Sequence, residues 1–285
     1  MRRLLPTIPA SVARGVACLA LAANLFASAA SAQTPSPFPT WQNAAGIVLA
    51  PLGGPIPDWR ISFGGGGVVL PLYEGADKYR LQPAPVLDIR YRDIAFLSVG
   101  DGLGVNLIRG ETFRAGVAVG YDVGRNAHLS GRLNGLGNVG AAPEPRLFAE
   151  VALLPVVIAA NLRRALGGHD GVIGDLGAYV PVYGSADLVV FVGPSLTFAN
   201  QRYMQAYFGV NTTQALGSSA HLPFYRAEGG VKSAAVGATA IYHITEHWFV
   251  DGDIAWERLM ASAGNSPIVQ NRNELGVSVV TGYEF

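Results

Sequence analysis

From residue 59 to the C-terminus, apolar and polar residues alternate along much of the chain, in segments of about 8–14 residues. In one of the last segments, Trp248, Ile254 and Trp256 fall on one face, and Asp251 and Asp253 fall on the other. A period of two residues places successive side chains on opposite sides of a β-strand. The alternation therefore predicts a series of strands, each with one apolar and one polar face.

Twelve such segments can be counted, and the connections between them alternate between short and long. The segments lie near 59–71, 81–91, 93–99, 102–109, 112–123, 146–153, 156–165, 172–181, 187–199, 230–244, 247–259 and 274–285. Short connections such as 245–246 alternate with long ones such as 124–145 and 200–229. This alternation is typical of an antiparallel barrel with an even number of strands. Merging the two short segments around Gly100-Asp101 would give ten or eleven strands instead.

Composition indicates which environment the strands meet. Half of the residues are apolar, only 14% are charged, and 36 of the 285 are glycine, whereas about a quarter of the residues in a soluble domain are charged. Beyond the N-terminal segment, the longest apolar run is 151–160, which Pro155 interrupts and which is far from the ~18 residues that a spanning helix needs. Contact with lipid without spanning helices requires a closed sheet. The predicted fold is therefore all-β, an antiparallel transmembrane β-barrel, most simply of twelve strands, with ten as the alternative.

The two ends of the chain indicate where the barrel is inserted. Residues 1–32 resemble a secretory signal peptide, with basic residues at the start and Ala30-Ser31-Ala32 as a cleavage site. Residues 33–58 are rich in Pro and Gly and are predicted to form a periplasmic lead-in, followed by the barrel over 59–285. The last strand ends with Tyr283 and Phe285 on one face. Such a C-terminal aromatic is typical of the signal that the barrel-assembly machinery of the bacterial outer membrane binds. We therefore expect an outer-membrane protein that contacts outer-membrane lipid.

Cysteine and charge exclude several other functions. The single cysteine, Cys18, lies within the predicted signal peptide, so the mature chain has no disulfide or thiolate chemistry. Removing Arg2, Arg3 and Arg14 from the 20 basic residues leaves 17 against 20 acidic ones, a net charge of −3. No basic tract is present, and we expect no nucleic-acid partner.

The polar strand faces predict a charged lumen. Its candidate residues are Arg60, Asp88, Arg90, Arg114, Asp122, Glu150, Arg163, Asp175, Asp251, Asp253 and Glu257. The first interpretation is a network of ion pairs that fills a small barrel. The alternative is a pore that prefers cations, because seven of these residues are acidic and four are basic. The favoured interpretation is the ion-pair network.

Motifs that could carry catalysis or bind a metal have simpler explanations. His243-Ile244-Thr245-Glu246-His247 matches a zinc motif that requires a helix, but it joins two strands here. The run Gly64–Gly67 has no helix or Lys-Ser pair behind it, so close strand packing is favoured over a phosphate loop. No nucleophile, base and orienting group fall together. We therefore expect no catalytic residues, no bound metal and no cofactor, and a protein that is not an enzyme.

The connection 200–229 contains an aromatic-rich stretch, 202–210, outside the strand pattern. Long connections of this kind usually have a role. The stretch is compatible with a short helix at the mouth of the barrel or with a surface used for recognition.

Several segments together resemble one family, the MipA/OmpV family of outer-membrane proteins. They are 71–80 (PLYEGADKYR), 102–107 (GLGVNL), 203–210, 257–259 (ERL) and 266–269 (SPIV), in this order along the chain. Ala76 replaces a serine that is common in the family. The resemblance covers roughly 59–285 and implies an outer-membrane barrel with no catalytic residues.

The resemblance also suggests a role. The founding member is associated with a scaffold that joins a lytic murein transglycosylase, MltA, to a bifunctional murein synthase, and other members are described as porin-like, adhesive or linked to antibiotic response. The expected function is therefore a scaffold for peptidoglycan-remodelling enzymes. The alternatives are a narrow porin-like channel for small or cationic solutes, or a surface adhesin that acts through 124–145 and 200–229.

Overall fold

In a computed structural model of the protein, residues 58–110, 112–153 and 155–285 are described. The predicted signal peptide, 1–32, and all but the last residue of the predicted lead-in, 33–58, lie outside these residues, so both remain predictions.

Twelve strands account for most of the described chain. They are β1 (Trp59–Pro71), β2 (Tyr79–Tyr91), β3 (Ala95–Ser98), β4 (Gly102–Arg109), β5 (Phe113–Asp122), β6 (Ala142–Leu153), β7 (Val156–Arg164), β8 (Val172–Gly184), β9 (Leu188–Ala199), β10 (Gly230–His243), β11 (Trp248–Leu259) and β12 (Asn273–Glu284). Three short α-helices lie between strands: α1 (Gln201–Phe208), α2 (Thr212–Gly217) and α3 (Ala261–Gly264). Two single 3₁₀ turns, Ala127–Leu129 and Gly131–Leu133, precede β6. None of the helices in the described ranges is long and apolar enough to cross a membrane.

Each strand pairs antiparallel with its neighbours in sequence, and β1 pairs with β12, so the sheet closes into a barrel. The predicted antiparallel barrel of twelve strands is confirmed. The ten-strand alternative is wrong because β3 and β4 are separate strands that pair with each other, from Ala95 opposite Val105 to Ser98 opposite Gly102.

Three strands are longer than predicted: β2 begins at Tyr79 rather than at residue 81, and proline explains the larger differences in β6 and β8. β6 begins at Ala142 rather than at residue 146, because Pro143 and Pro145 lie on its exposed face and continue the extended chain. β8 continues to Gly184 rather than ending at residue 181, because a bulge between Pro181 and Tyr183 accommodates the missing proline N–H.

The run Gly64–Gly67 lies where β1 closes onto β12. A Cβ atom on Gly64 would stand 2.0 Å from the carbonyl oxygen of Thr281, and one on Gly66 would stand 2.0 Å from that of Val279. A side chain at these positions would push the closing strands apart, so the glycines permit the close approach.

The two faces of the wall differ as the alternation predicts. Large apolar side chains such as Leu81, Leu103 and Leu147 are exposed on the outer face, by 74%, 62% and 57%. Polar side chains such as Thr239 and Ser278 are buried in the lumen. This is the arrangement of a lipid-facing barrel.

Apolar clusters fill both ends of the interior. Inside the wall, Val157, Tyr179 and Phe191 are fully buried and form a cluster with four other apolar residues. At the end with long connections, two larger clusters consist mainly of connection residues. We call the connections 72–78, 123–141, 165–171, 200–229 and 260–272 the loop cap, and the opposite end, with its short turns, the turn end.

Candidate functional site: the lumen and the loop cap

The first group of predicted lumen charges forms an ion-pair chain across the wall. Arg90 pairs with Asp88 at 2.8 Å and with Asp101 at 3.5 Å, and Asp101 also pairs with Arg146 at 2.9 Å. Because β3 has only four residues, its connection to β4 ends inside the barrel and inserts Asp101 between the two arginines. The charges of this group compensate each other.

Two further arginines are also paired. Arg114 contacts Glu150 at 2.7 Å and Asp93 at 3.1 Å. Arg163 contacts Asp175 at 2.9 Å. The carboxylates of Glu150 and Asp175 are buried. Such pairs satisfy charges that would be costly to bury alone.

The opposite wall, β10–β12, has a different composition. Asp253 accepts hydrogen bonds from Thr239 at 2.6 Å and from Ser278 at 2.9 Å. Asp251 has a buried Oδ1 with no hydrogen-bond partner among the described residues. Arg60 lies opposite Arg90 across β1 and β2, and no ion pair joins it to another described residue. Asp251 and Arg60 are thus the two predicted lumen charges that the network does not include.

A buried charged cluster connects the wall to the loop cap. Lys232 contacts both Glu74 and Glu257, the latter at 3.4 Å. The Tyr203 hydroxyl donates to Glu74 at 3.3 Å, and Glu274 accepts a hydrogen bond from the backbone N–H of Gly75. Burial raises the pKa of the Glu74 carboxyl, while Lys232 opposes this shift. Three glutamates and one lysine therefore meet under the cap, away from water.

His169 forms a second buried cluster with two acidic side chains. Its Nε2 lies 3.0 Å from Asp122 Oδ2 and 3.6 Å from Glu144 Oε1. The Tyr207 hydroxyl donates to the same Asp122 carboxylate at 2.9 Å. Burial alone would lower the pKa of His169, but its hydrogen bonds to Asp122 and Glu144 raise it to about 9. The imidazole is therefore a cation at neutral pH and pairs with the two carboxylates.

The three side chains of this cluster are also the types that bind metals, and their ligand atoms lie within 4.8 Å of one another. The hydrogen bonds argue against a metal. In the protonated ring, His169 Nε2 donates to Asp122 Oδ2 at 3.0 Å, so this nitrogen carries a proton. A metal between the carboxylates would need the lone pair of that Nε2 atom. We therefore interpret the cluster as an ion-paired support for the cap.

The aromatic-rich stretch 202–210 includes most of α1, so the short-helix alternative is the one observed. The Asn200 side chain caps the helix by accepting the Tyr203 N–H at 3.1 Å. One helix face, with Tyr203, Met204, Tyr207 and Phe208, is buried over the barrel mouth. The sequence stretch is therefore apolar because it is the core of the cap.

The two histidines of 243–247 do not meet as zinc ligands would. His247 Nδ1 lies 3.0 Å from the Glu284 carbonyl oxygen, and its ring stacks on Tyr283 at 5.3 Å. The His243 ring lies beside Phe249 at 6.5 Å. Each histidine packs on a different strand.

The predicted assembly signal lies on the outer face at the turn end. The ring centroids of Tyr283 and Phe285 are 4.8 Å apart. The Trp248 ring lies 5.3 Å from that of Tyr283, and the Phe63 ring lies 5.7 Å from that of Phe285. Phe285 is 66% exposed. These aromatics resemble the interfacial girdle of membrane barrels. Recognition by the assembly machinery remains a prediction.

Sequence reasoning missed about half of the charged network. The missed residues are Glu74, Asp93, Asp101, Glu144, Arg146, His169, Lys232 and Glu274. Some had a usable signal: Glu144 and Arg146 lie on the same face of β6 as the predicted Glu150, but Pro143 and Pro145 hid this part of the strand. Others, such as His169, lie in connections, where no periodicity applies.

A closed antiparallel sheet with an apolar outer face and a charged lumen defines the class of outer-membrane β-barrels. Within this class, the sequence model of the family described as MltA-interacting protein MipA matches residues 63–285, more than three quarters of the chain. The chain belongs to this family, and the resemblance noted from its sequence motifs is confirmed.

The matches to individual proteins are either short or low in sequence identity. The outer membrane protein Omp26La of Vibrio anguillarum is 32% identical over 102 residues, which cover 36% of this chain and 37% of that protein. The chain thus spans little more than a third of the length of this curated relative. Among solved structures, the NanC porin is 10% identical with a TM-score of 0.36, over 79% of this chain and 98% of that one. OmpT of Vibrio cholerae is 7% identical with a TM-score of 0.35, over 80% of this chain and 97% of that one.

Proposed function

We propose that this outer-membrane barrel is a non-enzymatic scaffold that holds peptidoglycan-remodelling enzymes, a murein transglycosylase and a murein synthase, at the periplasmic side. The family description, MltA-interacting protein MipA, names such an interaction. The structural observation that carries the proposal is the filled interior. A barrel whose lumen and mouth are occupied by its own side chains acts through its surfaces.

Three groups of side chains support this interpretation. Near the turn end, the cluster around Tyr179 and Phe191 occupies the lumen. The ion pairs of Arg90, Arg114 and Arg163 occupy other parts of the inner wall. The loop cap adds its own packed apolar clusters across the mouth. A twelve-stranded barrel leaves little free cross-section once such groups are in place.

The periplasmic partner surface would lie at the turn end, because short turns face the periplasm in this class. The turns alone offer a small area, with exposed residues such as Glu246 and Arg92. We therefore include residues 33–58, the predicted lead-in, in the proposed surface. Together they would provide a platform beside the membrane.

Site-specific photo-crosslinking in cells tests the scaffold. A photoreactive amino acid at Glu246 or within 33–58 is expected to capture a murein enzyme. The matched control is the same label at Leu216, which is 86% exposed in the loop cap on the opposite side. Capture from none of the periplasmic positions, or equal capture from Leu216, would contradict the proposal.

A narrow cation channel is the second candidate, and Asp251 is the observation that favours it. This side chain has no ion pair with any described residue, and Asp253 lies on the same strand face. Single-channel recording of the purified protein tests it. Discrete cation-selective steps that decrease in Asp251→Asn, but not in the exposed Asp170→Asn control, would support a channel. A silent bilayer with a folded barrel would exclude it.

A further inference from the structure

A cleft of about 600 Å³ opens at the outer surface of the loop cap, between α1 and the connections that precede β6 and β8. Its lining includes Arg125, Arg202, Asn138, Gln205 and Gln214. The volume is within the range of small-ligand sites, about 300–1,000 Å³. Neither the lumen charges nor the proposed periplasmic surface involves this cleft.

Arg125 lies at the base of the cleft and is only 3% exposed. Its terminal nitrogens donate to the backbone carbonyls of Tyr207 and Ala206, and its Nε has no partner among the described residues. The structure shows no carboxylate paired with it in the described ranges. Burial lowers the pKa of this guanidinium. A buried cation without a counterion is costly, and an anion nearby would offset that cost.

Arg202 supplies a second positive charge at the rim. The Arg202 side chain is exposed and makes no hydrogen bond or ion pair with the rest of the described chain. The acidic lining residue is Asp170, whose Oδ1 accepts the Gly167 N–H. The charge of His169, also in the lining, is matched by two carboxylates behind it. The cleft is therefore net positive.

Carboxamides complete the lining. Asn138, Gln201, Gln205, Asn211 and Gln214 surround the two arginines. Some of their atoms stabilise the cap, as when Asn138 accepts the Ala127 N–H at 2.8 Å. A carboxamide still has further donor and acceptor capacity, which matches the hydroxyl groups of a sugar.

We propose that this cleft binds a sugar that carries a phosphate or carboxylate group. The anionic group sits between Arg125 and Arg202, where guanidinium donors suit both anions. The hydroxyls of the ring contact the carboxamides. Because the cleft opens on the outer side of the membrane, the ligand is either a free solute or the phosphorylated headgroup of an outer-leaflet lipid.

Calorimetry on the full-length protein in detergent tests the proposal. Glucose 6-phosphate and glucuronate are expected to bind, and glucose to bind at least ten-fold more weakly. Arg202→Gln should raise the Kd about ten-fold or more, since it removes a charge-assisted hydrogen bond, and Arg202→Glu should raise it further. Arg109→Gln, which removes an exposed arginine at the turn end, should leave the Kd unchanged.

Lipopolysaccharide, intact and dephosphorylated, identifies the source of the ligand. Binding of soluble anionic sugars that Arg202→Glu abolishes indicates a free solute. Binding only of intact lipopolysaccharide, again abolished by Arg202→Glu, indicates the lipid headgroup. The proposal is overturned if glucose binds as tightly as glucose 6-phosphate and glucuronate. It is also overturned if the Arg202 substitutions weaken the binding of none of the probes. The Arg202 series carries the test because Arg125 also holds α1 in place.

Discussion

The two ends of the barrel are stabilised differently. At the turn end, short turns join the strands, and their ion pair, Asp58–Arg92, is exposed on both sides. At the other end, the loop cap has its own buried apolar clusters and buried charged groups. In the wall, strand pairing supplies the hydrogen bonds of the backbone. Connections as long as those of the loop cap need a packed core of their own.

The comparison indicates that the cap is a small packed layer built on the rim of the barrel. Leu133, Val210 and Ile268 come from three different connections and are fully buried against one another. Removing one such contact should loosen the cap while the strands persist. The turns of the turn end have no such layer of their own, because the cluster near them, around Tyr179 and Phe191, consists of strand residues.

The largest effect is expected for Phe208→Ala. Phe208 is fully buried in the cap cluster, so its truncation should cost about 3–5 kcal/mol of cap stability. Hydrogen exchange followed by mass spectrometry should show cap amides that exchange about a hundred-fold faster or more. Amides of β11 and β12 should stay protected.

Leu216→Ala is the matched control for Phe208→Ala. Leu216 is also in the cap, but it is 86% exposed, and its truncation should change exchange little. If Phe208→Ala accelerates exchange in the strands as much as in the cap, the two are one cooperative unit and the comparison fails.

Lys232→Met tests the charged cluster under the cap. The substitution keeps an unbranched side chain only one atom shorter but leaves Glu74 and Glu257 buried without their cation. Removing one partner of a buried ion pair costs about 3–5 kcal/mol. Urea unfolding in lipid vesicles should show this loss, and adding Glu74→Gln should restore part of it. No recovery in the double variant would mean that packing, not charge, is lost.

Most of the wall could be predicted from sequence because period-two alternation is a local property. Both β1 and β4 begin and end where the pattern predicts. Even the short β3, Ala95–Ser98, falls within a predicted segment, 93–99. The largest deviations occurred where proline interrupts the pattern, at the start of β6 and the end of β8.

The loop cap was less predictable because its contacts are distant in sequence. Lys232 and Glu74 are 158 residues apart, and His169 and Asp122 are 47 apart. Nothing local to His169 indicates two carboxylates around it. Helix α1 did have a signal, because most of it lies in the aromatic-rich stretch 202–210, which does not alternate.

A smaller effect is expected from pH. The pKa of His169 is about 9 in the folded cap, above its ordinary value of about 6.5. The ion pairs therefore stabilise the cap fully below about pH 6.5, and this contribution is lost as pH rises through about 9. The loss should be at most about 3 kcal/mol. Limited proteolysis of the cap should accelerate over this window in the wild type.

His169→Asn should remove this pH dependence, while His247→Gln at the turn end should retain it. His247 is exposed and takes part in no ion pair within the described ranges. A wild-type cap whose cleavage rate is constant between pH 6.5 and 9 would show that His169 does not hold it.

The smallest effect is expected for Asp58→Ala at the turn end. Its ion pair with Arg92 has a distance of 2.8 Å, but the two side chains are 68% and 54% exposed. Exposed pairs contribute about 0–1 kcal/mol, and salt screens them. Urea unfolding should therefore change by less than about 0.5 kcal/mol, with no difference at high salt. A larger loss would mean that the turn end is itself a stabilised unit. A small loss of stability would mean that the exposed residues of the turn end can be substituted to suit a periplasmic partner without unfolding the barrel.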